Sequence, residues 1–230
     1  NPRISSVELA NFCIDGLHFT GKEGNPENSY INGKTGIHVA SANDSFRITG
    51  MGLIYLEHGI MAHHAEALSA AINHPTRAED RMRDQYRHPA ETLTFFKMAP
   101  DMKVGEYSPG GGWYSRLLGH YLGGEGELVG LFANPLTATS DPARQQAIRD
   151  AAAKFPADVA GWTGLPADRF KGMTLEGIPQ DQLGTFDRIV MIRALHGPLR
   201  GNIADGELRA LRSLLKDDGM LGVVQHRAKA

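Results

Sequence analysis

The run VGEYSPGGGWYSRLLGHYL, Val104 to Leu122, constrains the fold more than any other stretch of the chain. A short apolar segment closes on an acid, Glu106, and three successive glycines, Gly110, Gly111 and Gly112, lead into a helical pattern. Glycine lets the backbone enter left-handed conformations and lets another group approach the main chain closely. A strand that passes through such a turn into a helix is the ligand-cradling unit of a doubly wound α/β sheet.

The chain from Pro75 onward agrees with that unit. PTRAEDRMRDQYRH reads as a polar helix whose arginines (Arg77, Arg81, Arg83, Arg87) and acids (Glu79, Asp80, Asp84) form solvated ion pairs, with a lid over the glycines as the lesser reading. PAETLTFFKMA follows, with Pro89 suited to a first helical turn. Strands are expected at MKVGEY, GELVGLF, FDRIVMIRAL and MLGVVQH, with a weak one near Val159 or Met173. Between them, helices are expected from about Gly112 to Leu122, from the Asp141-Pro142 cap to Phe155, and from an Asp205 cap through Leu208, Leu211 and Leu215 to Gly219. Strands alternating with helices imply right-handed crossovers and a parallel sheet over residues 75–230.

Residues 1–70 have another texture. Apolar residues alternate with polar ones at Ile14, Leu17 and Phe19, at Ile37 and Val39, and at Phe46 and Ile48, the pattern of half-buried strands. Gly36-Ile37 recurs as Gly59-Ile60, a spacing of 59 − 36 = 23 residues, as in a stack of β-coils. The stretches FCIDGLHFTG and GIHVASANDSFRITGMGLIYLEHGI, within residues 3–62, resemble right-handed parallel β-helix proteins of the pectate-lyase-like type. That resemblance implies a carbohydrate-active or cell-surface role. Strands decorating the larger domain are the alternative.

The glycine loop can be tested against known cradles. A dinucleotide fingerprint counted from Gly110 has Ser115 at its third glycine position and bulky Trp113-Tyr114 beneath the ligand, and a P-loop needs a lysine that is absent. Glu106, Ser108, Gly110 and Gly112 at alternate positions instead resemble the E/D-x-G-x-G-x-G loop of class I S-adenosylmethionine-dependent methyltransferases, with Ser108 in place of the first glycine. HPTRAEDRMRDQYRHPAETLTFFKMAPDMKVGEYSPGGGWYSRLLGHYL, FDRIVMIRALHG and LLKDDGMLGVVQHRAKA extend the likeness, over residues 74–230, to a bacterial group of predicted methyltransferases. The resemblance implies a Rossmann-like methyltransferase sheet, S-adenosylmethionine as cofactor, and a small-molecule methyl acceptor. Helix N–H groups would face the cofactor carboxylate. Glu106 would meet its ammonium, Ser108 and Gly110–Gly112 would pass beneath it, and Tyr114 would edge it.

Two departures stand out. The second strand ends in GLFANP rather than in an acid, so Asn134 is the residue expected to meet the ribose. The family also continues for two strands beyond MLGVVQH, so a sheet edge at 220–226 is expected, with strands around 37–57 available to cover it. His196 and Arg193 follow the fourth strand of this domain, where an α/β sheet binds ligands. His196 is a candidate general base or a turn histidine, and Arg193 an anion anchor or a strand-end ion pair.

No metal site is expected. His58, His63, His64 and His74 lack metal-ligand spacing, and Cys13, the single cysteine, lies in an apolar run. The formal net charge of −2 gives no footprint for nucleic acid, and no apolar run reaches the ~20 residues of a membrane span. Two function classes follow: a methyltransferase, working in the cytoplasm where its donor is made, or a non-enzymatic carbohydrate-binding protein, exported or in the cell envelope, whose α/β half is a silent scaffold.

Overall fold

The computed structural model describes residues 67–226 and, ahead of them, two dipeptide strands, β1 (Leu17–His18) and β2 (Ser29–Tyr30). The chain divides into two compact units, Asn1–Ala67 and Leu68–Ala230. In the first unit β1 and β2 pair antiparallel. The expected coils of 3–62, the strands around 37–57 and their docking on the sheet edge lie outside the described residues.

The second unit is an α/β fold around five parallel strands: β3 (Lys103–Tyr107), β4 (Glu127–Phe132), β5 (Phe170–Thr174), β6 (Phe186–Ile192) and β7 (Leu215–Val224). Their order is β5-β4-β3-β6-β7, the Rossmann-like arrangement in which the first strand of the domain is central. Beyond a short helical segment at 67–72, the helices are α1 (Asp84–Arg87), α2 (Pro89–Phe95), α3 (Trp113–Leu122), α4 (Pro135–Ala138), α5 (Pro142–Thr163), α6 (His196–Arg200) and α7 (Ala204–Leu214). Both faces of the sheet are covered, as the continuous apolar runs of β4 and β6 require. Val129 and Leu131 of β4 join Ile189 and Met191 of β6 and Leu211 and Leu214 of α7 in one core. Gly130, pointing the opposite way, lies beneath the Phe155 ring of α5.

Several local expectations are corrected. The segment expected as one polar helix is broken into 3-10 turns at Pro75–Arg77 and Asp80–Arg83 and then α1. Its Arg77 is not solvated at all. It is fully buried, pairs with Asp84 at 3.1 Å, donates to the Ile72 carbonyl and stacks over the Trp113 ring. Asp205 does not cap α7. It sits in the first turn, paired with Arg209 one turn on, while Leu215 and Gly219 already belong to β7.

Helix α5 opens on the expected Asp141 cap but runs past Phe155 and Pro156 to Thr163, so Val159 is helical and β5 is the strand that holds Met173. Proline usually ends a helix because it returns no N–H to the carbonyl four residues back. Here that carbonyl, of Ala152, leans toward β5 and lies 2.0 Å from where a Cβ on residue 172 would be. Residue 172 is glycine, so α5 keeps its length and its packing against β5.

Candidate functional site

The chain leaves β3 for β4 and β5 on one side and returns through β6 on the other. The carboxyl ends of β3 and β6 therefore open on the switch point, where such sheets bind ligands. A cleft of about 770 Å³ lies there, within the usual range for ligand sites. Of the nine residues singled out in the sequence, seven line it: Glu106, Ser108, Gly110, Gly111, Tyr114, Arg193 and His196. Gly112 and Asn134 do not line it.

The three glycines sit in three different settings. Ser108, at φ 54°, and Gly110, at φ 58°, turn the chain away from β3 through left-handed conformations. Gly111 faces open space, with nothing within 4 Å of a Cβ placed there. Gly112, at φ 72°, precedes α3, and a Cβ there would lie 2.4 Å from the Trp162 ring of α5. Helix packing therefore excludes a side chain there, a constraint independent of any ligand.

Glu106 is buried at the end of β3 and accepts a 2.6 Å hydrogen bond from Ser115 of α3. Burial pushes its carboxyl up to about 8, against smaller opposing effects from the Ser115 hydrogen bond and the Arg116 charge. Asn134, instead of pointing into the cleft, caps α4: its Oδ1 accepts from the Leu136 N–H at 3.0 Å. Arg193, at φ 58°, is held by its N–H on the Val224 carbonyl, and His196 opens α6.

A buried carboxylate unforeseen in the sequence ties these ends together. Glu207 of α7 accepts from the Tyr107 hydroxyl at 2.7 Å and from the Asn134 N–H at 3.0 Å. Burial, reinforced by the Glu207 contact, raises the Tyr107 phenol well above its ordinary range. The signal for this network was available, since Glu207 lies four and seven residues before Leu211 and Leu214, on the apolar stripe of α7. Tyr107→Phe, which leaves Glu207 one donor short, is expected to cost about 2 kcal/mol in denaturant titration. An unchanged midpoint would assign the Glu207 position to packing alone.

The segment 77–87 forms a wall of the cleft, contributing Arg83 and Arg87. It is fixed to α3 rather than hinged. Asp80 pairs with Arg116, its carbonyl accepts from the Trp113 indole at 3.1 Å, the Arg87 carbonyl accepts from the Tyr114 hydroxyl, and the Arg87 guanidinium stacks over Trp113 at 4.6 Å. His74 stacks on His120, and Thr76 bridges the two rings. Among the described residues no helix is long and apolar enough to cross a membrane.

Fold and cleft together define a Rossmann-like α/β domain with an open cleft at its switch point. No protein-family model matches the chain. A stretch of 71 residues, 31% of the chain, is 46% identical to the DFA-I-forming inulin fructotransferase of Arthrobacter globiformis and covers 17% of that protein's length. Among solved structures, a SAM-dependent methyltransferase from Aquifex aeolicus superposes with a TM-score of 0.44 at 18% identity, over 64% of this chain and 71% of that one.

Proposed function

We propose that the α/β domain is an S-adenosylmethionine-dependent methyltransferase acting on a small-molecule acceptor. One observation carries this reading: a buried acid at the end of the central strand faces the same cleft as the unobstructed main chain at Gly110 and Gly111. The residues fit the amino-acid end of the cofactor. Glu106 would take the ammonium, and the free N–H groups at the start of α3 the carboxylate. Gly111, with open space above it, would pass beneath the rest. At the ribose end the fit is weaker, because β4 ends at Phe132, no acid follows in Ala133-Asn134, and the Asn134 oxygen is committed to its cap.

Bound S-adenosylmethionine would supply an electrophilic methyl group on a sulfonium. The chain's part is then to position donor and acceptor in line and to receive a proton, for which the imidazole of His196 stands at the cleft wall. Such an enzyme would work in the cytoplasm, where the donor is made.

The test is calorimetric. The full chain is expected to bind S-adenosylmethionine saturably, and Gly111→Val to abolish that binding with the melting temperature unchanged, since the new side chain enters empty space. Unchanged affinity in the variant overturns the cofactor placement.

A second reading is favoured by the 71-residue similarity to a fructotransferase: the chain carries a carbohydrate-recognising surface beside a silent α/β scaffold. Retardation of the full chain in an inulin-containing gel, together with no response to S-adenosylmethionine, would favour it.

A further inference from the structure

A second cleft, of about 490 Å³, adjoins the first at the carboxyl ends of β6 and β7. The two share Arg83, Arg87, Tyr114, Ile192 and Arg193, whereas Glu106 and Ser108–Gly111 belong to the larger cleft only. The smaller cleft is closed by Tyr86, Val224, Gln225 and His226, so it has apolar as well as polar walls. Three arginines from three elements thus converge on the partition between the clefts: Arg83 from the turn before α1, Arg87 from α1 and Arg193 from the end of β6.

Like charges brought together repel one another, and an anion between them relieves that repulsion. Among the described residues none of the three forms an ion pair. Asp80, whose field reaches Arg87, is already held by Arg116 through two hydrogen bonds. Burial first, and then the charges of Arg193 and Arg83, push the Arg87 guanidinium below its ordinary value. Among the described residues Glu106 is the one acid on either wall, and it is turned to Ser115. The Arg87 guanidinium is oriented by the Trp113 ring, and the backbone of Arg193 is pinned by Val224. A planar guanidinium so fixed is suited to two parallel hydrogen bonds to an oxyanion.

We infer that the smaller cleft is the acceptor subsite and that it takes a carboxylate or phosphate ester on a small apolar body, held by Arg83, Arg87 and Arg193. Its role as acceptor subsite rests on the methyltransferase reading; the anion site itself does not. The apolar body would lie against Tyr86 and Val224, and the reacting end would meet the larger cleft at Tyr114 and Ile192.

Calorimetric titration of the full chain with benzoate, phenyl phosphate and neutral benzamide tests this. Benzoate or phenyl phosphate should bind saturably, more weakly as salt is raised, and benzamide about tenfold less tightly or worse. The stronger of the two anions separates a carboxylate from a phosphate ligand. Arg193→Gln and Arg83→Gln should each weaken anion binding about tenfold, with Arg193→Lys recovering part of the loss and all three melting as the parent does. Gly111→Val should bind the anion as the parent does. Equal affinity for benzamide and benzoate, no binding of either anion, or full affinity in Arg193→Gln overturns the proposal. Failure of the methyltransferase reading looks different: S-adenosylmethionine gives no heat while the anion still binds through the arginines, which leaves the anion site standing without a methyl donor.

Discussion

Glu106→Gln is expected to stabilise the protein at pH 8, and the gain should vanish as the pH is lowered toward 4.5. The Glu106 carboxyl has a native value near 8, against 4.5 in the unfolded chain. Between those limits the native state keeps a proton that the unfolded state has released, so stability falls as pH rises. The contribution is fully present below 4.5 and lost on passing 8. At about 1.36 kcal/mol per unit, the loss by pH 8 is of the order of 4 kcal/mol. Glutamine does not titrate, yet its oxygen can still accept from Ser115, so the variant keeps the hydrogen bond without the pH-dependent loss.

On the methyltransferase reading proposed above, S-adenosylmethionine binding should respond in the opposite direction. An ammonium beside Glu106 favours the ionised carboxylate, so binding below pH 8 releases a proton and affinity rises with pH. Glu106→Gln should bind more weakly and without that slope. Urea titrations and calorimetry from pH 5 to pH 9 measure both effects. Parallel stability profiles for parent and variant would mean that Glu106 ionises in the native state as freely as in water. Stability given up at a candidate site is the expected signature of a group kept for binding rather than for folding.

How far this was legible in the sequence depends on the range of the interaction. The strand, acid, glycine and helix order around Glu106 could be read because each backbone demand there is local. Left-handed turns call for Gly110, an N-terminus calls for small residues, and a buried parallel strand calls for an apolar run such as LVGLF. The interactions that escaped are between distant residues. Arg77 reads as a surface cation until Trp113 and Asp84 close around it. Pro156 reads as a helix end until Gly172 makes room for the Ala152 carbonyl. Asn134, expected at a ribose, has its oxygen held in the α4 cap, and Glu207 stands out as an acid on the apolar stripe of α7 while its partner Tyr107 lies 100 positions away. A single sequence does not display such pairs, because nothing local to one partner names the other.

Gly112→Val should unfold the domain more readily, whereas Gly111→Val one residue earlier should not. Residue 112 holds φ 72°, and a Cβ there meets two atoms of the Trp162 ring at 2.4 Å. The first fact costs a β-branched side chain at least about 1–2 kcal/mol of backbone strain. The second adds the penalty of overpacking, about 1–3 kcal/mol, because Trp162 is itself braced by the Arg116 guanidinium 5.1 Å from its ring. Together they amount to roughly 3 kcal/mol or more, a drop in Tm of about 6–12 °C for a domain of this size. The two penalties can be separated, since Trp162→Ala removes the clash but not the strain. In a double-mutant cycle Gly112→Val should therefore cost less in the Trp162→Ala background than in the parent, by about the overpacking term. If instead Gly112→Val melts like the parent and loses only S-adenosylmethionine binding, the residue is bare for a ligand's sake, Trp162 is not what excludes a side chain there, and the helix-packing role assigned to the third glycine is wrong.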